Sequence, residues 1–369
     1  MGTVGGQAAG DGVTDAPGGS GEQDAAAGEL HDPSFSRRAI LRGVAGTVIA
    51  LFGPTAVGKT AVALALAERL RKRGERPVAV SADALQVYAG LGRLTGAATR
   101  AERARLEHRL VGFLPVDARF SVGEYAELAH AEIDGLLGAG RRPLVVGGTG
   151  LYLRAALADL DLRPPPAAGI REALERELAA GGPAALHARL ALRDPVAAAR
   201  IDPADHRRVV RALELLASGE TPPPVEDSQL WTARTRHPTL LIALTMERDA
   251  LNRRIDARVD AILAAGAVDE VRRAHGAGAS ETARQALGFD ELLAGDVGAL
   301  KRRTRLLAKR QLTWLRKLAG AEAIDVTGLA PAEVSDGVMG LLDRRERTEP
   351  ALGQLGLAQW PNGHTDSPA

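Results

Sequence analysis

The chain contains no cysteine, which excludes disulfides, thiolate zinc sites and cysteine nucleophiles and accords with a reducing, cytoplasmic setting. Any metal must therefore be held by oxygen or histidine ligands. Aromatic residues occupy only 3% of the 369 positions, too few for base-stacking platforms of the single-strand-binding kind. The formal net charge is +1, so no global excess of either sign announces a partner, and local clusters must carry that argument. No apolar run approaches spanning length, and no membrane partner is expected. Hydrophobic residues, by contrast, make up 45% of the chain, enough to fill the cores of two domains.

The most informative stretch is Gly53-Pro54-Thr55-Ala56-Val57-Gly58-Lys59-Thr60, which fits G-x-x-x-x-G-K-[ST]. It follows the apolar run Val48 to Phe52 and precedes a helix-forming segment, Ala61 to Leu70. Strand, glycine turn and helix in that order make a phosphate cradle: glycines let the backbone approach an anion, and the helix start presents unpaired N–H groups. Lys59 adds a point charge and Thr60 a hydroxyl directed at Mg²⁺. The sequence Ser36-Arg37-Arg38-Ala39-Ile40-Leu41-Arg42 resembles a twin-arginine export signal. That reading is rejected, because the apolar part of such a signal is the strand that carries the loop.

Further along, Pro77 to Asp83 reads as a buried strand ending in a carboxylate, and Leu144 to Gly150 as another ending in glycines. Ordinary phosphate-loop NTPases hold Mg²⁺ with an acidic residue at the end of a second strand. Here that strand ends Gly147-Gly148, which weakens a hydrolase motor but leaves a kinase open, since Asp83 stands at the end of a different strand. Leu106 to Phe113 reads as a short strand, and Ser121 to Leu137 as a serine-capped helix. Alternating strands and helices predict an α/β fold with a doubly wound parallel sheet, a mostly helical insertion domain and a helical C-terminal part. The expected division is residues 1–45 as a disordered N-terminal extension, 46–162 as the phosphate-loop core and 163–237 as the insertion. Residues 238–345 return to the core and end in a basic helical part, and 346–369 form a disordered tail.

Three basic groups are candidates for phosphate contact. In the insertion, Arg207 and Arg211 share a helix face; a solvated face is the bland alternative. On a long helix read over Arg248 to Ala274, Arg254 and Arg258 also lie four apart. They suit a diphosphate clamp, or else are solvated arginines balanced by Asp256 and Asp260. Lys301 to Lys317 forms a strongly basic helix free of acidic residues, with Lys309, Arg310, Gln311 and Trp314 suited to an RNA backbone and limited base contact.

With these residues in view, the chain resembles the bacterial-type tRNA dimethylallyltransferase (tRNA isopentenyltransferase) family over about Val48 to Leu318. The motifs that carry the resemblance are the phosphate loop, Ser81-Ala82-Asp83 with Gln86-Val87-Tyr88, Val146-Gly147-Gly148-Thr149-Gly150-Leu151-Tyr152, and Lys309-Arg310-Gln311-Leu312-Thr313-Trp314. The resemblance implies transfer of the dimethylallyl group of dimethylallyl diphosphate to N6 of the adenosine 3′ of the anticodon, with Mg²⁺, by a monomer that grips the tRNA anticodon stem-loop. It implies Asp83, Thr60 and Arg258 as catalytic residues. Gly53, Thr55, Ala56, Gly58, Lys59, Thr60 and Arg254 would hold the diphosphate, and Gln86, Arg207, Arg211, Lys309, Arg310, Gln311 and Trp314 the tRNA. Competing readings are an adenylate isopentenyltransferase, a small-molecule phosphate-loop kinase and a non-catalytic tRNA-binding paralogue. The chain departs from the family pattern D-S-x-Q-x-Y, then G-x-D-I-G-T-A-K, by carrying Ala84 for serine and Ala97 for lysine within Gly90 to Ala97. Arg93 and Arg100 are candidates to replace the missing cation.

Overall fold

The computed structural model describes residues 46–163, 166–167, 169–222 and 229–355. The expectations for residues 1–45 and for most of the C-terminal tail lie outside the described residues. Strand β1 (Val48–Phe52) is followed by α1 (Lys59–Lys72), β2 (Pro77–Ser81), the short helices α2 (Gly92–Thr95) and α3 (Arg100–Arg105), and β3 (His108–Arg109). Next come α4 (Val122–Gly138), β4 (Arg142–Gly147) and α5 (Gly150–Leu157). The insertion contributes α6 (Ile170–Arg193), α7 (Pro195–Arg200) and α8 (His206–Ala217). The chain returns through β5 (Thr239–Thr245), α9 (Arg248–Ala264), α10 (Ala267–Gly276), α11 (Glu281–Arg284), α12 (Phe289–Leu293), α13 (Val297–Leu315), β6 (Glu322–Asp325) and α14 (Pro331–Leu355).

All six strands are parallel, in the order β3-β2-β4-β1-β5-β6. From β1 the chain first winds to one side and then, after β4, to the other, which opens a crevice beyond the C-terminal ends of β1 and β4. Buried β-branched and aliphatic residues make these strands double-faced. Val48, Ala50 and Phe52 join one apolar layer, while Ile49 and Leu51 join the other, as a two-residue period requires. α1 covers the second layer with Val62, Leu66 and Leu70. Each such aliphatic side chain contributes about 1.5–3 kcal/mol on burial. α4 covers the first layer and begins at Ser121, whose capping box with Glu124 satisfies two otherwise unpaired N–H groups.

The insertion helices share an apolar cluster of their own, including Leu174, Leu186, Leu190, Val209 and Leu213. α6 breaks at Gly182, at φ 76°, immediately before Pro183. No helix among the described residues is long and apolar enough to cross a membrane.

Two expectations about elements are corrected. The long helix read over Arg248 to Ala274 is two helices, because Gly266 adopts φ 88° and caps α10 in a left-handed conformation. The short strand read over Leu106 to Phe113 shrinks to His108–Arg109, since Leu110 turns out of the sheet at φ 58°. In addition, α14 runs to Leu355, past residue 345, where the tail was expected to begin.

Candidate active site

A large cavity, about 1460 Å³, lies beyond the strand ends and gathers the phosphate loop, Asp83 and the α9 arginines. The loop is shaped by close packing. A Cβ at Gly53 would lie 2.8 Å from the carbonyl oxygen of Leu244, and one at Gly147 would lie 2.1 Å from that of Ala82, so these two turns pass only as glycine. Gly58 adopts φ 106° and Ala56 φ 65°, which aims the loop into the first turn of α1. Lys59 Nζ donates to the carbonyls of Gly53 and Pro54, both at 2.9 Å. Burial pushes its pKa down to about 8; the nearby charge of Asp83 opposes this and that of Arg258 adds to it. A lysine so desolvated gains most from an incoming anion.

Asp83 stands two residues beyond the end of β2 and its Oδ1 accepts the N–H of Leu85 at 3.0 Å, an Asx turn that fixes the carboxylate at the cavity wall. The preceding strand end is held by buried Tyr125, whose hydroxyl donates to the carbonyl of Ser81 at 2.9 Å. Burial raises the pKa of that phenol far above its ordinary value, so it stays a neutral donor. Gln86 also lines the cavity, and its Oε1 accepts from Ser81 Oγ at 3.1 Å.

Arg254 and Arg258 both reach the cavity from α9, Arg254 passing beside Gly58. Burial lowers the Arg258 pKa, opposed by the charges of Asp83 and Glu102, and its Nη2 donates to the carbonyl of Thr95 at 3.4 Å. The two aspartates of the same helix are engaged elsewhere: Asp256 accepts from Arg305 at 2.7 Å, and Asp260 pairs with Lys301 at 2.7 Å. Neither of these carboxylates is therefore free to pair with Arg254 or Arg258, and both guanidinium groups remain at the cavity, where they suit an anion.

The same ion pairs correct the reading of the basic helix. Lys301, Arg303 and Arg305 tie α13 to Asp260, Glu291 and Asp256, so carboxylates absent from the helix come from its neighbours. Of the residues expected to meet RNA, Arg207 and Arg310 line the cavity mouth. Lys309 is exposed outside it. Gln311 is buried and its amide is spent inside the protein: Oε1 accepts the N–H of Thr55 and Nε2 donates to the carbonyl of Gly148, each at 2.8 Å. Trp314 packs on Gly150, where a Cβ would lie 2.2 Å from the ring, and on Trp231 at a centroid distance of 4.6 Å. Arg211 pairs with fully buried Glu214 at 3.0 Å, alongside Arg171. These three therefore build the protein's own contacts. Arg93 and Arg100 are exposed and do not line the cavity, whereas Ala97, where the family pattern has lysine, does.

Sequence reading missed Glu270, a buried carboxylate of α10 that accepts the N–H groups of Arg93 and Leu94 at 3.0 and 2.8 Å. No local motif marks it, because its partners lie on another element.

Among the described residues no group of three or more acidic or histidine side chains is placed to hold a metal. Thr60, in the first turn of α1, nevertheless brings a hard oxygen donor to the cavity lining. This suits an ion such as Mg²⁺, which takes one or two protein oxygens and completes its shell with phosphate oxygens and water.

Comparisons with known proteins place the chain in a family. A family model described as IPP transferase matches residues 86–318. A tRNA dimethylallyltransferase of Thermobifida fusca is 43% identical over 282 residues, spanning 73% of this chain and 87% of that protein. One from Rhodospirillum centenum is 44% identical over 297 residues, spanning 75% and 91%. The crystal structure of a tRNA isopentenylpyrophosphate transferase from Bacillus halodurans superposes with a TM-score of 0.58 at 33% identity, covering 82% of this chain and 99% of that one. The chain belongs to the IPP transferase family.

Proposed function

We propose that the protein transfers the dimethylallyl group from dimethylallyl diphosphate to N6 of the adenosine 3′ of the anticodon in tRNA. The observation that carries this reading is the meeting of Lys59, Arg254, Arg258 and Asp83 on one cavity, a diphosphate clamp facing a carboxylate base. The exocyclic amine is a weak nucleophile. As its nitrogen forms the new bond to the allylic carbon, the carbon–oxygen bond to the diphosphate breaks and the amine proton passes to Asp83. The negative charge that builds on the leaving diphosphate is met by the Lys59 ammonium, the first-turn N–H groups of α1 and the two guanidinium groups. Thr60 is the residue that would hold Mg²⁺, which would supply charge neutralisation to the diphosphate when bound.

The size of the cavity, and the lining of its mouth by His206 and Arg207 of the insertion as well as Arg310 of α13, favour a macromolecular acceptor over a free nucleotide. On this reading residues 163–237 are an insertion domain that closes on the anticodon stem-loop, and the protein works as a cytoplasmic monomer. The test is to incubate it with labelled dimethylallyl diphosphate, Mg²⁺ and either tRNA or AMP, then digest and identify the modified nucleoside. Label on N6 of an adenosine in tRNA is expected. Label on AMP alone, or on neither acceptor, would refute the reading.

A further inference from the structure

The departure from the family pattern at Gly90 to Ala97 sits directly against Arg258. The pattern places glycine before its threonine and alanine after it; this chain has Leu94-Thr95-Gly96, with glycine on the other side. The geometry explains the exchange. Gly96 adopts φ 62° at the end of α2, and a Cβ there would lie 1.7 Å from Arg258 Nη2 and 2.6 Å from Cζ. No side chain other than hydrogen fits while the guanidinium keeps its place. Leu94, in the position of the pattern's glycine, is buried and packs so closely on Gly288 that a Cβ there would meet its Cδ1 at 2.8 Å.

α2 is held from outside. Its N-cap, Leu91, offers no side-chain cap, and Glu270 supplies the missing acceptors by receiving two of the first N–H groups. The turn then closes through Gly96 N–H to the carbonyl of Arg93 at 3.2 Å and Ala97 N–H to that of Gly92 at 2.9 Å. The Thr95 carbonyl is left to accept from Arg258.

We propose that the Thr95–Gly96 turn is the seat that sets the Arg258 guanidinium toward the diphosphate, that Glu270 pins this seat from α10, and that glycine at 96 is required by it. The inference rests on the reading of Arg258 as a diphosphate ligand. Gly96 and Glu270 are positioning residues, acting through Arg258.

A double-mutant cycle separates positioning from general damage. The affinity for inorganic diphosphate is measured by calorimetry in the full chain for the starting protein, G96A, R258A and the double variant, with thermal melting alongside. G96A is expected to weaken binding about tenfold when Arg258 is present and less than twofold in the R258A background, because charge-assisted contacts of this kind are lost only once. E270A should show the same dependence on Arg258, and E270Q should restore part of the loss, since its amide oxygen still accepts an N–H. This second series keeps the test open should G96A fail to fold. Equal losses in both backgrounds, or none in either, would overturn the seat. An unchanged affinity in R258A alone would overturn the assignment of Arg258 to the diphosphate, and this inference with it.

Discussion

Replacing Gln311 by methionine removes an amide while nearly conserving volume, and so isolates the two hydrogen bonds that join α13 to the phosphate loop and to the glycine end of β4. In the native protein, Oε1 accepts from Thr55 N–H and Nε2 donates to the Gly148 carbonyl, both at 2.8 Å. A hydrogen bond replaced by one to water costs about 1 kcal/mol, and a buried group left unpaired about 1–3 kcal/mol. Thr55 lies at the cavity wall, where water can reach it, so the sum belongs at the low end, about 2 kcal/mol. For a chain of this size that corresponds to a fall in Tm of roughly 3 °C. Because the lost contacts hold Thr55, a residue of the cradle itself, affinity for inorganic diphosphate should fall as well, by about five- to tenfold on the scale of one such interaction. Thermal unfolding followed by circular dichroism, with calorimetric titration of diphosphate, reads both quantities. A Tm within about 1 °C of the starting protein, with tRNA affinity alone reduced, would refute the structural role of Gln311 and return it to the RNA surface.

Further outcomes follow from the same geometry. The pKa of Lys59 is lowered to about 8 by burial, and anion binding favours its charged form, so binding takes up a proton above that value. Affinity for inorganic diphosphate should therefore fall about tenfold from about pH 7 to about pH 9, as the protonated fraction drops from ~0.9 to ~0.1; K59A should lose this component of the pH dependence, and the same slope in K59A would exclude Lys59 as its source. Gly150→Ala forces a Cβ into the Trp314 ring and should destabilise the fold by about 1–3 kcal/mol in urea titrations, whereas an unchanged midpoint would show that the α5–α13 contact is looser than described. Arg207 and Arg310 line the cavity mouth, and alanine at either position should reduce the salt slope of tRNA binding by about one while leaving diphosphate binding intact. An unchanged slope would remove that residue from the RNA path.

The parts of the site legible in the sequence are those encoded within a few residues. Gly53 to Thr60 announces a cradle because strand, glycine turn and helix are contiguous, and Asp83 announces itself as a carboxylate ending a strand. Arg254 and Arg258 share a face because a helix repeats every 3.6 residues. What was hidden depends on partners distant in the chain. Asp256 and Asp260 look like neutralising neighbours of the α9 arginines until α13 brings Arg305 and Lys301 against them. Gln311 looks like a polar member of a basic RNA face until its amide is seen to reach Thr55, 256 positions away. Glu270 carries no signal at all, because a capping carboxylate supplied by another helix leaves no local pattern. Strand β6, Glu322–Asp325, was invisible for a different reason: as a mostly exposed edge strand it lacks the apolar run by which buried strands are recognised.

In the proposed reaction one carboxylate takes the proton of the acceptor amine while a separate clamp holds the leaving diphosphate. Single-turnover transfer from labelled dimethylallyl diphosphate to tRNA, measured for Asp83→Asn beside diphosphate and tRNA binding, tests it most directly. The transfer rate should fall by about two to four orders of magnitude with both binding affinities within a few-fold of the starting protein. A transfer rate near that of the starting protein, or a loss of transfer that merely follows a loss of binding, would contradict it.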